Sequence, residues 1–262
     1  MLEWAKTSLK RLLSDGYEVI AVARSIEKMD DLKSLGAMTV KMDITQEKDI
    51  VEVVELIQVA FGRLDVLMNN AGYAEYGAVE VIDLDTARRQ FEVNLFGLAR
   101  LTQLIIPIMR KQGYGKIINT SSVGGKVYSY LGAWYHATKH ALEGWSDCLR
   151  LELKQFGIDV IIIEPGAINT EFGGVMLEPM TQRAKGTVYQ DTTDMVANVF
   201  QKWFEQKEGS EPSVITDLVM EAINAKKPKR RYAGGKHAKQ LIFIRKWFGD
   251  GVFEKALMSI YK

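Results

Sequence analysis

The 262-residue chain has one cysteine, five prolines and a net charge of only +1. A single thiol cannot close an internal disulfide, so the sequence predicts a cytoplasmic protein in a reducing compartment. The small net charge excludes a strong general attraction to nucleic acid. No apolar run approaches the ~20 residues needed to span a bilayer. The residues after Met1 are charged early and lack the apolar segment of a signal peptide.

Short apolar runs alternate with longer amphipathic stretches along the chain, which predicts strands and helices in turn. The predicted strands cover residues 17–23, 38–42, 64–68, 116–120, 158–163 and 231–233. The predicted helices cover residues 3–15, 26–35, 46–61, 83–112, 133–156, 191–207 and 213–225. Strands that are apolar on both faces indicate a parallel sheet covered on both sides by helices, hence an α/β fold.

We expect one domain over residues 1–262, because no repeat, low-complexity segment or linker interrupts the pattern. Residues 171–190 contain several glycines and methionines and are predicted to form a mobile flap over a substrate. Residues 237–262 are predicted to form an amphipathic helical tail.

Tyr135 and Lys139 are four positions apart in a predicted helix and therefore share one of its faces. An ammonium close to a phenol lowers the phenol pKa from about 10 toward working pH. Such a pair can exchange a proton with an alcohol or ketone. His136 and His140 have the same spacing, but no third ligand is evident, so no metal site is predicted.

The pair belongs to a series of motifs that occur in order along the chain. They are Asn69-Asn70-Ala71-Gly72 after a strand, Asn94 in a Val-Asn-Leu-Phe-Gly run, Ser121-Ser122-Val123-Gly124-Gly125, Tyr135-x-x-x-Lys139, and Pro165-Gly166-Ala167-Ile168-Asn169-Thr170. In this order they resemble the short-chain dehydrogenase/reductase family, and the resemblance covers residues 5–262. The sequence is most similar to the branch that handles hydroxysteroids, retinol and other lipophilic alcohols.

The resemblance implies a single Rossmann-like domain with a doubly wound parallel sheet. It implies an oxidoreductase that interconverts a ketone or aldehyde and an alcohol on a lipophilic small molecule, and a homo-dimer or tetramer. Tyr135 would exchange the proton with the substrate oxygen, and Ser122 would hydrogen-bond the same oxygen. Lys139 would lower the tyrosine pKa and hold the nicotinamide ribose. Asn94 would hold a water that links Lys139 to solvent.

The resemblance also implies a nicotinamide cofactor, for which the protein supplies position and electrostatics. Arg24 follows the strand at residues 17–23, and its guanidinium favours NADP because it can pair with a phosphate. The remaining expected cofactor contacts are Asp43 and Ile44 at the adenine, Asn70, Ala71 and Gly72 at the adenosine ribose, and Pro165, Gly166, Ile168 and Thr170 at the nicotinamide.

One family feature is absent: the first strand and its Thr-Gly-x-x-x-Gly-x-Gly loop, which brings backbone to the cofactor diphosphate. Its last two glycines would align near Glu3 and Ala5, and the strand would precede Met1. A missing central strand would leave two strand edges unpaired. Three interpretations are open: a chain without its natural start, a gap filled by a neighbouring element or subunit, and a decayed paralogue. We favour the first, because the catalytic motifs are intact.

Two alternatives therefore remain beside the enzyme. The first is a non-catalytic protein of the same fold that acts by surface binding or dimerisation. The basic run 226–231 suggests the second alternative, a protein that binds nucleic acid or anionic lipid. A solvated surface loop is the favoured interpretation of this run. The aromatic tail, with Phe243, Trp247 and Phe248, suggests weak peripheral membrane contact, although packing over the pocket or against another subunit is favoured.

Overall fold

The computed structural model describes residues 3–170 and 172–261, in which short strands alternate with longer helices. The strands are β1 (Ile20–Ala23), β2 (Met38–Lys41), β3 (Val66–Asn69), β4 (Gly115–Thr120), β5 (Ile158–Pro165) and β6 (Arg231–Gly234). The α-helices are α1 (Glu3–Ser14), α2 (Asp30–Ser34), α3 (Glu47–Ala60), α4 (Leu84–Phe91), α5 (Gly97–Gln112), α6 (Ala133–Leu153), α7 (Phe172–Ala184), α8 (Gln190–Glu205), α9 (Ser213–Asn224) and α10 (Ala238–Ile260). Each strand overlaps a predicted one, and the α/β fold class is confirmed.

The central strands are apolar on both faces because helices cover both sides of the sheet. In β5, the consecutive residues Ile161, Ile162 and Ile163 are all buried. All strand pairs are parallel, and β4 pairs with β3 on one side and β5 on the other. Parallel strands bring their carboxyl ends to one edge of a sheet, where ligands of such folds bind.

The strands form two separate sheets rather than one. β1 pairs only with β2, whereas β3, β4, β5 and β6 form a four-stranded sheet in that order. Within residues 3–170 and 172–261, no strand lies between β1 and β3. The break falls where the missing first strand is expected, and the facing edges of β1 and β3 therefore have no ladder partner.

Helix α1 packs on the four-stranded sheet together with α9. Trp4 is only 2% exposed and belongs to an apolar cluster that includes Ile118 and Ile163 of the sheet. The carbonyl oxygen of Trp4 accepts hydrogen bonds from Ser8 Oγ at 2.8 Å and Thr216 Oγ1 at 3.2 Å. These contacts fix the first turn of α1 beside the carboxyl ends of the strands.

The opposite face of the sheet is covered by a long helical segment that joins α4 and α5. This segment, Leu84–Gln112, is long and apolar enough to cross a membrane by length and composition, contrary to the expectation that no run approaches that length. Its residues Ile105 and Met109 are fully buried in a cluster with Ile117 of β4. We interpret it as a core helix of the domain, since burial of apolar side chains explains its composition.

Two predicted segments differ from expectation. The predicted flap at 171–190 is largely helical, because Phe172–Ala184 forms α7; residue 171 lies outside the described residues. Met176 and Met180 are buried and pack with Val196 of α8. The methionines that suggested a mobile loop therefore contribute to a packed helix pair.

The tail is not one continuous amphipathic helix. Gly249 interrupts α10 with φ 74° and ψ −175°, a backbone conformation that glycine adopts without strain. After the break, Phe253 is buried against the ring of Tyr128 at 5.1 Å, which anchors the second half of the tail.

Candidate active site

Helix α6 brings Tyr135 and Lys139 to one point at the carboxyl edge of the sheet. Both side chains face the same cavity, and they are only 8% and 5% exposed. Lys139 Nζ lies 6.0 Å from the centre of the Tyr135 ring. The i, i+4 geometry predicted from the sequence is therefore present in the folded protein.

Lys139 is tied to the adjacent strand by its ammonium group. Nζ donates a hydrogen bond of 2.9 Å to the carbonyl oxygen of Thr120 at the end of β4. Burial lowers the pKa of Lys139 to about 8, and the negative charge of Glu143 opposes that shift. At neutral pH the side chain is therefore still mostly protonated, but it loses its proton at a lower pH than a solvated lysine does.

The electrostatics of Tyr135 differ from the expectation that Lys139 brings its pKa toward neutrality. Burial raises the pKa of Tyr135 and Tyr76 raises it further, whereas a hydrogen bond with Ser122 lowers it. Desolvation of a buried phenolate thus outweighs the effect of the Lys139 ammonium, 6.0 Å from the ring centre. The phenol is therefore neutral at pH 7, which is the form that can donate a proton.

Ser122 reaches the same point from the end of β4. Its backbone is extended, with φ −170°, and its Oγ accepts a hydrogen bond of 3.0 Å from the Gly124 backbone. The hydroxyl also lies close enough to Tyr135 to lower the pKa of the phenol through a hydrogen bond. Two hydroxyl groups thus converge where a substrate oxygen would be bound.

Asn94 lies in a short π-helical stretch, Glu92–Phe96, a geometry that often occurs at functional sites. Its Oδ1 accepts from the Tyr73 backbone at 3.0 Å, and its Nδ2 donates to Tyr73 O at 2.9 Å and to Thr138 Oγ1 at 3.0 Å. These bonds hold the segment after β3 in place. Its expected role in a water relay to Lys139 stays a prediction.

Gly72 separates Asn94 from Lys139. A Cβ atom at this position would lie 3.3 Å from Asn94 Oδ1 and 3.6 Å from Lys139 Nζ. The need for a small residue therefore comes from the protein's own polar groups, in addition to the cofactor approach that was expected.

A cavity of ≈570 Å³ opens at the carboxyl edge of the four-stranded sheet. Of the predicted site residues, those that line it are Asn70, Gly72, Ser122, Tyr135, Lys139, Pro165, Gly166, Ile168 and Thr170. Its remaining wall is mostly aromatic and aliphatic, formed by side chains that include Tyr76, Met176, Phe200, Trp203, Leu241 and Ile244. The cavity is thus polar at the end formed by Tyr135, Lys139 and Ser122 and mostly apolar elsewhere.

The other predicted cofactor residues, Arg24, Asp43, Ile44 and Ala71, do not line this cavity. Arg24 directly follows β1 and is exposed, whereas Asp43 follows β2 and accepts two hydrogen bonds from Thr45, at 3.0 and 2.9 Å. Burial opposes ionisation of Asp43, but the Thr45 hydrogen bonds and the charges of Arg24 and Arg89 hold its pKa below the usual value. Arg24 and Arg89 therefore both lie close to Asp43.

Ile44 is held by a close backbone approach. It is buried beneath α5, where a Cβ at Gly97 would lie 2.3 Å from the carbonyl oxygen of Ile44. This contact requires glycine at position 97, and it places residues 43 and 44 at the carboxyl end of β2.

Several residues of the site were not predicted from the sequence. Trp4 lines the cavity from α1, and Phe200 and Trp203 line it from α8. His136 was expected on the helix surface, but it is buried between Gly124 O at 2.9 Å and Ser129 Oγ at 3.0 Å. For Phe200 and Trp203, the three-residue spacing of aromatic side chains on α8 was the available signal. Among the described residues, no group of three or more His, Cys, Asp or Glu side chains could hold a metal ion.

Comparison with known proteins agrees with this geometry. Residues 5–180 match the family model described as short chain dehydrogenase. The chain is 33% identical to the uncharacterized oxidoreductase YusZ of Bacillus subtilis over 255 residues, covering 94% of this chain and 90% of that protein. It is 29% identical to a 3-ketodihydrosphingosine reductase of Bacteroides thetaiotaomicron, covering 98% of this chain and 94% of the relative.

The fold is also similar to a solved structure. A short-chain dehydrogenase from Streptomyces avermitilis superimposes with a TM-score of 0.80 at 29% identity, covering 99% of this chain and 92% of the other. The chain therefore belongs to the short-chain dehydrogenase family and is an oxidoreductase that acts on CH–OH groups, consistent with NAD(P)-dependent oxidation and reduction.

Proposed function

We propose that this protein uses NADP to interconvert a ketone or aldehyde and the corresponding alcohol on a lipophilic small molecule. The observation that carries the proposal is that Tyr135, Lys139 and Ser122 face one cavity whose remaining wall is mostly apolar. A polar end with proton donors and an oily remainder suits a carbonyl group on a hydrophobic body.

In reduction, the substrate oxygen lies against the Tyr135 phenol and the Ser122 hydroxyl. The neutral phenol donates its proton to that oxygen as the carbonyl carbon receives a hydride, and Ser122 stabilises the developing negative charge by a hydrogen bond. NADPH, when bound, supplies the hydride. Lys139 offsets the negative charge left on the phenolate oxygen, and the alcohol is formed. Oxidation is the reverse.

The residues fit the two ends of NADP. At the nicotinamide end, Lys139 and the 165–170 segment line the cavity, and the ammonium can donate to ribose hydroxyl groups. At the adenosine end, Arg24 and Arg89 lie near Asp43. Two guanidinium groups favour a 2′-phosphate over a 2′-hydroxyl, which supports NADP over NAD.

The diphosphate between those ends has no matching contact among the described residues. Helix α1 begins at Glu3, and Trp4 lines the cavity without a preceding glycine-rich loop. Backbone N–H groups at such a loop normally bind the diphosphate. We therefore expect weak cofactor binding by residues 1–262 alone.

For the substrate, the apolar wall supports a molecule with an alkyl or ring body. The similarity to a 3-ketodihydrosphingosine reductase favours a ketone on a long chain. Phe200, Trp203 and Ile244 provide the contact surface for such a chain, and burial against them contributes roughly 25 cal/mol per Å² of apolar area.

The first half of α10 supports weak contact with a membrane surface, which would suit a lipophilic substrate. Phe243, Trp247 and Phe248 are 54%, 66% and 58% exposed. Lys239, Arg245 and Lys246 accompany them, with no acidic residue before Asp250. Exposed aromatic rings interleaved with cations are typical of interfacial helices. Salt-sensitive binding to anionic vesicles that is lost in Trp247→Ser tests this point.

The split sheet favours a second candidate, a non-catalytic protein of the same fold. An unpaired edge on β1 and on β3 weakens the platform on which the cofactor would bind. We place this candidate second because the catalytic side chains are aligned in one open cavity.

The deciding experiment is reduction of long-chain 3-ketones by residues 1–262 at millimolar NADPH, followed by absorbance and product analysis. We expect turnover with NADPH that exceeds turnover with NADH and disappears in Tyr135→Phe. No reduction of any ketone or aldehyde at saturating NADPH, by a folded protein, would instead support the non-catalytic candidate.

A further inference from the structure

A buried cluster of charged side chains lies where α6, β5 and β6 meet. Arg231 at the start of β6 approaches three carboxyl groups: Asp147 at 2.7 Å, Glu143 at 3.0 Å and Glu164 at 3.3 Å. Lys126 approaches Glu143 at 2.7 Å. Glu143 and Glu164 are each only 3% exposed. Arg231, whose side chain is 26% exposed, thus turns from the solvated basic run toward the two buried glutamates.

The positive charges in this cluster are unevenly distributed. Lys126 and Arg231 both approach Glu143, and Asp147 has Arg150 at 3.8 Å beside Arg231. Within the described residues, Glu164 pairs only with Arg231, which it shares with Glu143 and Asp147, so Glu164 is the least compensated of the three carboxyl groups. A buried charge without compensation costs several kcal/mol, which a protein avoids by binding a proton.

The two glutamates also have unused hydrogen-bonding atoms. Oε1 of Glu143 and Oε1 of Glu164 are both buried without a hydrogen-bond partner among the described residues. An ionised carboxylate only accepts hydrogen bonds, whereas a protonated one can donate. Burial, followed by the negative charge of Glu143, raises the pKa of Glu164 to about 7. A single proton held between the two carboxyl groups would therefore give both Oε1 atoms a hydrogen-bond partner.

The cluster adjoins the active site through Glu143. This residue lies one helical turn after Lys139, and its charge raises the pKa of that lysine against the effect of burial. The loop at Gly125 packs directly over both, since a Cβ there would lie 2.9 Å from Glu143 Cγ and 3.0 Å from Lys139 O. The absence of a side chain at Gly125 therefore leaves room for the Glu143 side chain next to Lys139.

We propose that Glu143 and Glu164 share one proton in the folded protein, and that Glu143 is a positioning residue that keeps Lys139 charged in the active site. As pH rises, Glu164 releases the shared proton and the pair gains a second negative charge. That charge strengthens the hold on Lys139 in the pH range where burial would remove its proton. The catalytic meaning of this device rests on the proposed function, whereas the ionisation itself does not.

The shared proton is tested by thermal unfolding of the wild type and Glu164→Gln between about pH 4.5 and 8. A carboxyl whose pKa is raised in the folded state stabilises below its unfolded pKa of 4.5 and loses that contribution up to about 7. We expect the wild-type Tm to fall relative to the variant across that window and the difference to be constant above it. A difference that is independent of pH would overturn the shared proton.

The effect on Lys139 is tested by NMR of ¹³C-labelled lysine, with the Lys139 signal assigned as the one lost in Lys139→Arg. We expect Glu143→Gln to lower the pKa of Lys139 by roughly one unit, a tenfold change in ionisation, and Glu143→Asp to restore it partly. Glu164→Gln, which keeps Glu143 in place, should lower it by a smaller amount, and it serves if Glu143→Gln does not fold.

Asp147→Asn is the matched control, because it removes a carboxylate from Arg231 one helical turn farther from Lys139. It should lower the Tm and leave the Lys139 titration within a few tenths of a unit of the wild type. If the Lys139 titration is unchanged in Glu143→Gln and Glu164→Gln, or shifts equally in Asp147→Asn, the cluster stabilises the fold but does not control the charge of Lys139. The readout needs neither substrate nor cofactor, so its failure is distinct from failure of the proposed function.

Discussion

Lys139 on α6 donates a hydrogen bond of 2.9 Å from Nζ to the carbonyl oxygen of Thr120, the last residue of β4. Both residues line the cavity, so this bond joins the catalytic helix to the strand end from which Ser122 follows. It also holds a charge in a buried place, and burial lowers the pKa of Lys139 to about 8. The hydrogen bond thus fixes the position of the Lys139 ammonium, while burial of its charge lowers the free energy of unfolding.

Lys139→Met should abolish turnover and remove a pH dependence of stability. The wild-type lysine is destabilising while charged, and this penalty is relieved as pH rises from about 8 to the unfolded value of 10.5. We expect the unfolding free energy of the wild type to rise by roughly 1–3 kcal/mol relative to the variant over that window, measured by urea unfolding. Lys111→Met, at an exposed site, is the control. A constant difference across the window would contradict the lowered pKa.

Tyr135→Phe should reduce turnover by at least about 10²-fold while leaving the Tm within a few degrees, because only the phenolic oxygen is removed from a packed ring. Turnover and circular dichroism are measured on residues 1–262, or on a longer form of the chain if only that form shows turnover. Tyr128→Phe loses a hydroxyl that donates to Glu254 at 3.1 Å away from the cavity, and it should keep full turnover. Retained turnover in Tyr135→Phe would remove this tyrosine from the mechanism.

Gly72→Ala should lower turnover by roughly 10–100-fold without unfolding the protein. The added methyl group would lie 3.3 Å from Asn94 Oδ1, a tight contact that shifts this amide by a few tenths of an ångström beside Lys139 Nζ, which is in ordinary contact at 3.6 Å. Gly144→Ala on α6 is the matched control, since a Cβ there meets no atom within 4 Å. It should leave turnover unchanged and stabilise the helix by up to about 1 kcal/mol. Equal turnover in the two variants would show that the space at Gly72 is unimportant.

Lys116→Met should destabilise the fold without a direct effect on the site. Lys116 Nζ donates to three carbonyl oxygens at the end of α9: Ile223 at 2.5 Å, Ala225 at 2.7 Å and Ala222 at 3.2 Å. Loss of these bonds leaves carbonyl groups unsatisfied beside a helix end, and we expect a cost of roughly 2–4 kcal/mol in chemical denaturation. A cost no larger than that of Lys111→Met would show that water replaces the ammonium.

Residues 1–262 should bind NADPH more weakly than about 1 μM, because no described glycine-rich loop contacts the diphosphate. Isothermal titration or nucleotide fluorescence measures this affinity, and Arg24→Glu should reduce binding of NADPH more than binding of NADH. Arg63→Glu, which reverses a charge before β3, should affect both cofactors equally. Micromolar or tighter binding by these residues would contradict the expectation.

The sequence predicted the strand positions and the placement of Tyr135 beside Lys139 because both depend on local spacing. Apolar runs such as the one at Ile161 define a buried strand, and four-residue spacing places Tyr135 beside Lys139 on any α-helix. The break between β1 and β3 also followed from the absence of one motif.

The pKa of Tyr135 was wrongly predicted because it depends on burial and on the electrostatic effect of Tyr76, which is distant in sequence. Helix α7 was missed because glycines and Pro179 disguised a segment that packing holds in place. Trp4 was not recognised at the cavity, since only tertiary contact with the sheet brings α1 there. Burial that arises between separate elements leaves no periodic signal along the chain.

The division between β1 and β3 has a dynamic consequence. The segment from β1 to β2 has its own small apolar cluster of Ala21, Met29, Leu32 and Ala37, and among the described residues no backbone ladder continues from it into the larger sheet. Cooperativity should therefore be interrupted there. Amide protons of Ile20–Ala23 should exchange through a partial opening at lower free energy than those of β5, so the molecule would melt in two stages rather than one.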